Sequence, residues 1–211
     1  MFKADIINKI EATGAMAIVR TESIERAIEI AEGCLKGGVD VLEISYTLPN
    51  AGDVIKALND KFDDNLLVGA GTILDGETAR LAILSGAKFI IAPNFSREVA
   101  KVCNRYQIPY APGCTTVTEM VEALEVGASY IKAFPISNFY GPSLVSVLKT
   151  PIPNLPILAS GGANLDNLEL WLKNGVDAVG FGGLLTKGSK HEIAENARKI
   201  REIIVNTRKY R

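Results

Sequence analysis

Short apolar runs alternate along the chain with longer segments that have the 3.6-residue periodicity of amphipathic helices. The eight apolar runs are Ala15–Val19, Val41–Ser45, Leu66–Ala70, Phe89–Ala92, Pro109–Ala111, Tyr130–Ala133, Pro156–Ala159 and Ala178–Phe181. The segments between them include Ile24–Lys36, Ala51–Phe62, Gly76–Leu84, Arg97–Arg105 and Val117–Val126. Strands that alternate with helices predict parallel βαβ units. Strands that are apolar on both faces indicate a sheet covered by helices.

A glycine pattern recurs before every second predicted strand and divides the chain into repeating units. The four glycines that stand after a helical segment and just before a strand are Gly38, Gly86, Gly127 and Gly175. Glycine there can take the left-handed conformation that ends a helix. The recurrence predicts an α/β fold of the closed (β/α)8 TIM-barrel type, and a doubly wound open sheet is the alternative.

Two further features complete the predicted architecture. The segment Lys3–Glu11 predicts an extra N-terminal helix, which we expect at the floor of the barrel. No linker-like or low-complexity stretch divides the chain, so we expect residues 1–211 to form a single domain.

Composition and charge narrow the classes of partner. The 211 residues include 23 basic and 24 acidic side chains, for a net charge of −1, and the mean hydropathy is +0.16. This balance argues against nucleic acid or an anionic membrane as a partner. No apolar run is long enough to span a membrane, and the N-terminus does not resemble a signal peptide. We therefore expect a soluble, cytoplasmic protein.

The cysteines and the single histidine argue against metal and disulfide chemistry. Cys34, Cys103 and Cys114 form no CxxC pair, and their number is odd. This usage fits a reducing compartment and a chain without a disulfide framework or a structural zinc site. With only one histidine, His191, we expect no metal site.

Lys132 is a charged residue within the apolar run Tyr130–Ala133. Burying a charge without a partner is costly, and burial favours the neutral amine over the ammonium. Because a neutral amine attacks carbonyl groups, Lys132 is a candidate for Schiff-base formation. The structural alternative is a lysine at a strand end whose ammonium reaches solvent.

Glu43 has the same peculiarity in the second run, Val41–Ser45. The second and sixth strands of an eightfold barrel lie on opposite sides, so the side chains of Glu43 and Lys132 can both point into its mouth. A carboxyl group there can exchange protons with bound groups, as each step of Schiff-base chemistry requires. The alternative is a structural ion pair, for example with Arg20, which follows the first strand.

Glycine pairs follow the last two predicted strands. Ser160, Gly161 and Gly162 follow the seventh strand, and Gly182 and Gly183 follow the eighth. This part of a (β/α)8 barrel often binds phosphate through backbone N–H groups, which glycine allows an anion to approach closely. Simple tight turns are the alternative.

Two other strand-end residues are candidates for substrate contacts. Thr72 and its preceding glycines predict a site for a second small anion, such as the carboxylate of a keto acid. A local side-chain turn or helix cap is the alternative for Thr72. Phe134 is predicted to form an apolar wall beside the substrate, or else to be an ordinary core aromatic.

Several of these motifs together resemble the 2-keto-3-deoxy-6-phosphogluconate (KDPG) aldolases and the related 4-hydroxy-2-oxoglutarate (KHG) aldolases. The resemblance spans nearly the whole chain, in order and on successive strands. The strings that carry it are Gly37-Gly38-Val39 with Leu42-Glu43-Ile44, Gly69-Ala70-Gly71-Thr72, Ala92-Pro93, Pro112-Gly113, Ile131-Lys132-Ala133-Phe134-Pro135 and Ser160-Gly161-Gly162-Ala163-Asn164.

The resemblance implies a small (β/α)8 barrel, usually a homotrimer, with no metal or organic cofactor. It implies that Lys132 forms a Schiff base with the keto group of a phosphorylated 2-keto acid and that Glu43 transfers protons. The products would be pyruvate and glyceraldehyde 3-phosphate, as in the Entner–Doudoroff pathway. Thr72 would hold the carboxylate, and Pro93 and Phe134 would shape the pocket. The phosphate would contact Gly161, Gly162, Gly182 and Gly183.

The chain departs from the family pattern at two positions. Many members have an arginine four residues after the glutamate, where this chain has Thr47, and Arg20 is a candidate to supply the missing charge. Some members offer a serine hydroxyl to the phosphate, where this chain has Gly183 and Leu184. Weaker phosphate binding, an unphosphorylated 2-keto acid or a substrate epimeric at C4 would each fit these departures.

Our first hypothesis is a class I aldolase that cleaves KDPG, and also 4-hydroxy-2-oxoglutarate to pyruvate and glyoxylate. A related aldolase of the 6-phosphogalactonate type is the nearest alternative. A sugar-phosphate isomerase or epimerase would use Glu43 as acid and base without an imine, and a non-catalytic barrel would only bind sugar phosphates. The presence of one acid/base residue near a lysine, with no obvious second base, favours the aldolase.

Overall fold

The structure is a computed structural model that describes residues 1–209, in which helices and parallel strands alternate. Tyr210 and Arg211, the end of the predicted domain, lie outside the described residues. The strands are β1 (Ala15–Val19), β2 (Val41–Ser45), β3 (Leu67–Gly71), β4 (Ile90–Ile91), β5 (Tyr110–Ala111), β6 (Gly113–Cys114), β7 (Ile131–Ala133), β8 (Ile157–Ser160) and β9 (Ala178–Phe181).

The helices lie mainly in the connections between strands. They are α1 (Lys3–Thr13), α2 (Ile24–Lys36), α3 (Ala51–Phe62), α4 (Gly76–Leu84), α5 (Arg97–Tyr106), α6 (Val117–Glu125), α7 (Ile136–Tyr140), α8 (Ser143–Lys149), α9 (Leu168–Lys173), α10 (Gly183–Thr186) and α11 (Lys190–Arg208), with a 3-10 turn at Asp63–Asn65. Within residues 1–209, no helix is both long and apolar enough to cross a bilayer.

The strand order β5-β4-β3-β2-β1-β9-β8-β7-β6 confirms the predicted barrel. The two strands at its ends, β5 and β6, are separated only by Pro112, and they pair in parallel with β4 and β7 respectively. They therefore act as two halves of one strand, and the barrel closes at this strand position. The (β/α)8 architecture of eight strand positions follows, and the doubly wound alternative is wrong.

The predicted fifth strand, Pro109–Ala111, is found at Tyr110–Ala111, but Gly113–Cys114, which we expected to follow the strand, forms a further strand beyond Pro112. Pro112 has no N–H for a strand hydrogen bond, although its carbonyl accepts one from Lys132 N at 2.8 Å. The next residue is a glycine, and it lies close to the backbone that follows β4: a Cβ on Gly113 would lie 2.1 Å from Pro93 O. The interruption thus accompanies a close backbone contact at the rim of the barrel.

The other predicted boundaries agree with the structure to within one residue or two. The first, second and eighth strands are confirmed as predicted, as are α2, α3 and α4. The third and seventh strands begin and end one residue later, at Leu67–Gly71 and Ile157–Ser160. Side-chain oxygens accept from backbone N–H groups at the start of five helices and fix where they begin; these caps are Ser23, Asp75, Ser96, Thr116 and Ser189.

The predicted helix-ending glycines adopt the left-handed conformation that their role requires. The φ angles are +87° at Gly38, +99° at Gly86, +85° at Gly127 and +101° at Gly175. Side chains other than glycine rarely take this conformation. The glycine pattern therefore marks the turns that lead from helices into β2, β4, β7 and β9.

An apolar cluster fills the amino-terminal end of the barrel interior, which we call the floor. Its buried members are Ile6, Ile10, Met16, Val41, Leu67, Phe89, Ile91, Ala111, Tyr130, Leu158 and Ala178. Ile6 and Ile10 come from α1, which confirms the extra helix and its position. A second, larger cluster lies between the strands and the surrounding helices.

Candidate active site

Glu43 and Lys132 lie inside the barrel, directly above the floor. Residues two apart on a strand point to the same side. Val41 and Tyr130 belong to the floor, so Glu43 and Lys132 point into the same interior, one step nearer the carboxyl ends of the strands. Their exposed fractions are only 2% and 6%. The alternative that Lys132 is a strand-end lysine with its tip in solvent is therefore wrong.

The side chain of Lys132 lies among apolar neighbours. Its Nζ is 5.1 Å from the centroid of the Phe134 ring, within the range of a cation–π contact. On the flanking strands it is in register with Gly113 and Leu158. Among residues 1–209, no carboxylate oxygen lies within 4.0 Å of Lys132 Nζ, the distance limit for an ion pair. The amine of Lys132 is thus buried and forms no salt bridge with the described residues.

Glu43 fits the interior because the neighbouring strand has a glycine beside it. A Cβ on Gly71 would lie 1.7 Å from Glu43 Oε1, so any larger residue would displace the carboxyl group. Burial raises the pKa of Glu43, while the charges of Lys132 and Arg20 act against this rise. A raised pKa makes it easier for a carboxyl group to hold a proton and give it up, as a general acid and base must.

Arg20, Thr72 and Thr47 meet at the hydroxyl of Ser45. Arg20 Nε donates to Ser45 Oγ at 3.3 Å, and Ser45 Oγ lies 3.0 Å from Thr72 Oγ1 and 3.2 Å from Thr47 Oγ1. The alternative ion pair between Arg20 and Glu43 is wrong, because Arg20 bonds the serine instead. This cluster places one guanidinium and several hydroxyls at the mouth of the barrel, beside Glu43.

Thr72 has an unusual backbone conformation for a β-branched residue. Its φ angle is +62°, in the left-handed region that β-branched residues almost never occupy. Such outliers persist where the surrounding structure enforces them, and they cluster at functional sites. The strain therefore agrees with a binding role for the β3 loop.

Sequence reasoning missed Ser45. The available signal was its position two residues after Glu43 on a strand buried throughout, which aims its side chain into the same interior.

The loop after β8 has two glycines that no other residue would replace without strain. Their φ angles are +93° at Gly161 and +78° at Gly162. A Cβ on Gly161 would lie 2.3 Å from Oδ1 of Asn138, and the buried Ser137 Oγ donates to Ser160 O at 2.8 Å. Sequence analysis missed these two α7 residues because nothing in their local pattern indicates a contact with β8.

The remaining predicted site residues lie at the same rim. Ser160 was expected after the strand, but it is the last residue of β8 and is buried. Gly182 and Gly183 follow β9 and are exposed, and Pro93 follows β4. All the strands are parallel, so their carboxyl ends share one rim, where barrel active sites form. Within residues 1–209, no group of three or more His, Cys, Asp or Glu is placed to hold a metal ion.

The fold and the site together define a (β/α)8 barrel whose interior holds an unpaired amine and a carboxyl group of raised pKa. The chain belongs to the KDPG and KHG aldolase family, whose model matches residues 6–203.

Individual relatives agree with this assignment. The chain is 33% identical over 176 residues to the 2-dehydro-3-deoxy-6-phosphogalactonate aldolase of Escherichia coli (strain K12), covering 83% of this chain and 85% of the relative. A solved structure described as native KDPGal superposes with a TM-score of 0.86 at 30% identity, covering 92% of this chain and 96% of that one. The KDPG aldolase of Legionella pneumophila, solved with pyruvate captured as a covalent carbinolamine, has a TM-score of 0.80 at 27% identity and coverages of 96% and 97%.

Proposed function

We propose that this protein is a class I aldolase that cleaves KDPG to pyruvate and glyceraldehyde 3-phosphate through a Schiff base on Lys132. The observation that carries the proposal is the placement of Lys132 and Glu43, both buried, in the interior of the barrel above its floor. The carbinolamine captured in the Legionella relative supports the same chemistry.

The first stage joins the substrate to the enzyme. Lys132 Nζ attacks C2 of the keto acid and forms a carbinolamine. The carbinolamine hydroxyl takes a proton from Glu43 and leaves as water, which produces the iminium ion. The Phe134 ring, 5.1 Å from the amine, shields one side of this centre from solvent.

The second stage breaks the carbon–carbon bond. The Glu43 carboxylate takes the proton of the C4 hydroxyl, the C3–C4 bond breaks and the aldehyde leaves. The electron pair of that bond moves through C3 to the iminium nitrogen and forms an enamine. Protonation at C3 and hydrolysis then release pyruvate and the free amine. Because Glu43 has a raised pKa, one carboxyl group serves as both base and acid in this cycle.

The groups at the rim bind the two ends of the substrate. We assign the carboxylate to Thr72, the β3 loop and Arg20, which supplies the charge that is absent at Thr47. Pro93 and Phe134 form the walls. The phosphate contacts the loops after β8 and β9, at Ser160, Gly161, Gly162, Gly182 and Gly183.

The 6-phosphogalactonate analogue is a second candidate substrate. It is favoured by the 33% identity to the Escherichia coli enzyme of that name and by the presence of Thr47 in place of an arginine. Pyruvate release, measured by a coupled assay, should be compared for KDPG, its galactonate-derived epimer and 4-hydroxy-2-oxoglutarate. The highest kcat/KM among the three identifies the substrate.

Borohydride trapping tests the proposed function. Incubation with pyruvate and sodium borohydride should inactivate the enzyme and add a reduced pyruvyl group to Lys132, located by peptide mass spectrometry. Borohydride without pyruvate is the control and should leave activity intact. Full activity and an unmodified Lys132 after the complete treatment would refute the aldolase, and substantial activity in Lys132→Arg would favour the isomerase.

We also propose a homotrimeric, cytoplasmic protein that forms a single domain over residues 1–211. Large apolar side chains exposed near the barrel mouth support association with another copy; Phe139, Tyr140 and Val147 on α7 and α8 have exposed fractions of 78%, 66% and 64%. Three free, buried cysteines agree with a reducing compartment. Sedimentation equilibrium tests the trimer, and a monomer at micromolar concentration would contradict it.

A further inference from the structure

Lys187 lies directly against the glycine pair that follows β9. If Gly183 carried a Cβ, that atom would lie 3.3 Å from Cδ, 3.4 Å from Cε and 3.7 Å from Cγ of Lys187. The lysine stem therefore folds back across the short helix α10 and lies over Gly183. This is the loop to which the proposed function assigns the substrate phosphate.

Contacts from two sides fix the backbone that carries Lys187. From α2, Arg26 Nη2 donates to Thr186 O at 2.9 Å and to Gly188 O at 2.7 Å, so one guanidinium holds the carbonyls on both sides of the lysine. Lys187 N donates to Gly183 O at 3.0 Å. These bonds bring the lysine close to the glycine pair in a defined geometry.

The charge of Lys187 is not used within the part of the chain that the structure describes. Its side chain is exposed and forms no ion pair or hydrogen bond with residues 1–209. The nearby Lys190, in contrast, pairs with Glu32 at 2.8 Å. A lysine that is positioned but unpaired, at a rim where an anion is expected, is available for that anion.

The glycine loop itself lacks a charged or hydroxyl side chain. Residues 182–184 are Gly, Gly and Leu, which offer the phosphate only backbone N–H groups. A phosphate monoester has a charge of about −1.5 to −2 at neutral pH, and lysine is a common point-charge ligand for it. A cation from outside the glycine pair would offset this charge.

We propose that Lys187 binds the substrate phosphate and selects phosphorylated over unphosphorylated substrates. This inference rests on the proposed function, whose phosphate loop it completes. Arg20 then binds the substrate carboxylate together with Thr72 and the β3 loop, and Lys187 binds the phosphate at the loop after β9.

Kinetics on two matched substrates test the selection. Lys187→Met keeps an unbranched stem and removes the charge. We expect KM for KDPG to rise about tenfold, equivalent to about 1.4 kcal/mol, with kcat nearly unchanged. KM for unphosphorylated 2-keto-3-deoxygluconate should not change, and Lys187→Arg should restore most of the affinity for KDPG. Lys199→Met, which removes an exposed lysine on α11, controls for net charge and should leave both KM values unchanged.

Equal effects of Lys187→Met on both substrates, or no effect on either, would overturn the inference. A binding measurement separates the role of Lys187 from the proposed function.

Glycerol 3-phosphate, which cannot form an imine, should bind the parent protein about tenfold more tightly than Lys187→Met in calorimetric titrations. If pyruvate is trapped on Lys132 but this affinity is the same in both proteins, the aldolase stands and the role of Lys187 is refuted. If trapping fails but the affinity difference is present, Lys187 is a phosphate ligand and the Schiff-base mechanism is wrong.

Discussion

The floor and the mouth of the barrel are built from the same strands, yet they have opposite chemistry. On β2, Val41 belongs to the apolar floor and Glu43, two residues later, is the buried acid. Tyr130, directly before β7, and Lys132 within it have the same relation. On these two strands, a step of two residues toward the carboxyl end leads from a packed side chain of the floor to a charged side chain of the site. The apolar floor shields Glu43 and Lys132 from water on one side. The floor packs without them, so the two polar side chains are not needed to stabilise the fold.

Two glycines on β3 show the same difference between the floor and the mouth of the barrel. A Cβ on Gly69 would lie 2.3 Å from the ring of Phe89 in the floor, and a Cβ on Gly71 would lie 1.7 Å from the Glu43 carboxyl group. Both glycines leave space inside the barrel. The first provides it for packing and the second for catalysis, so residue type alone does not distinguish the two roles.

The largest effect should come from removing the amine. Lys132→Met should lower kcat/KM by more than about 10⁴-fold, because no other group can form the imine. Its thermal unfolding temperature should not fall, since a buried polar group without an ion-pair partner is replaced by an apolar side chain of similar length. Pyruvate-release kinetics and calorimetry measure the two quantities. A variant that is inactive only because it is unfolded would contradict the separation of mouth from floor.

The next largest effect should come from the floor. Phe89→Ala should lower the free energy of unfolding by about 3–5 kcal/mol through lost burial and the cavity left behind. Activity per folded molecule should change little at low temperature. Urea denaturation with active-site titration by pyruvate and borohydride separates the two effects. A fall in kcat as large as that of the mouth variants would show that the two regions are coupled.

Removing the acid should affect catalysis and stability in opposite directions. Glu43→Gln should lower kcat by about 10²–10³-fold, the usual contribution of a general acid–base group. At neutral pH its melting temperature should rise by about 2–4 °C, the shift that about 1 kcal/mol produces in a chain of this size.

The stability gain of Glu43→Gln should depend on pH. Burial raises the pKa of Glu43 in the folded state above the ordinary value of 4.5, so the parent protein loses stability as pH rises from that value through the folded-state pKa. Glutamine does not titrate, so the difference in melting temperature should be small at pH 4 and largest at neutral pH. A difference that is the same at both pH values would contradict the direction of the shift.

The two β3 glycines provide a matched pair with a smaller effect. Gly71→Ala should displace the Glu43 carboxyl group and lower kcat about 10²-fold. Gly69→Ala should mainly destabilise the protein, by about 1–3 kcal/mol, through overpacking against Phe89. Steady-state kinetics and denaturation of both variants check the contrast. Equal kcat values for the two variants would show that the Glu43 carboxyl group tolerates displacement.

The smallest effect should come from the rim. Arg20→Met removes a guanidinium that bonds Ser45, and it should raise the pyruvate concentration needed for half-maximal borohydride inactivation about tenfold, with little change in the limiting rate. Lys173→Met, on α9, is the control for loss of one positive charge. An unchanged pyruvate dependence would remove Arg20 from the carboxylate site.

The sequence by itself determined the order of the elements, the barrel and the two reactive side chains. Apolar periodicity and helix-ending glycines are local signals, and a charge within an apolar strand, such as Lys132 or Glu43, stands out without knowledge of its neighbours. Strand alternation then aimed both side chains to one side, because side-chain direction along a strand is set by the backbone itself.

Only the tertiary structure decided the details that depend on residues distant in the chain. The division of the fifth strand at Pro112 accompanies the close crossing of Gly113 over Pro93, and the bond of Arg20 to Ser45 brings together two strands. The position of Lys187 likewise depends on Arg26, which lies far from it in sequence. Such contacts produce no periodic pattern in the sequence, since each partner is set by how distant segments pack together.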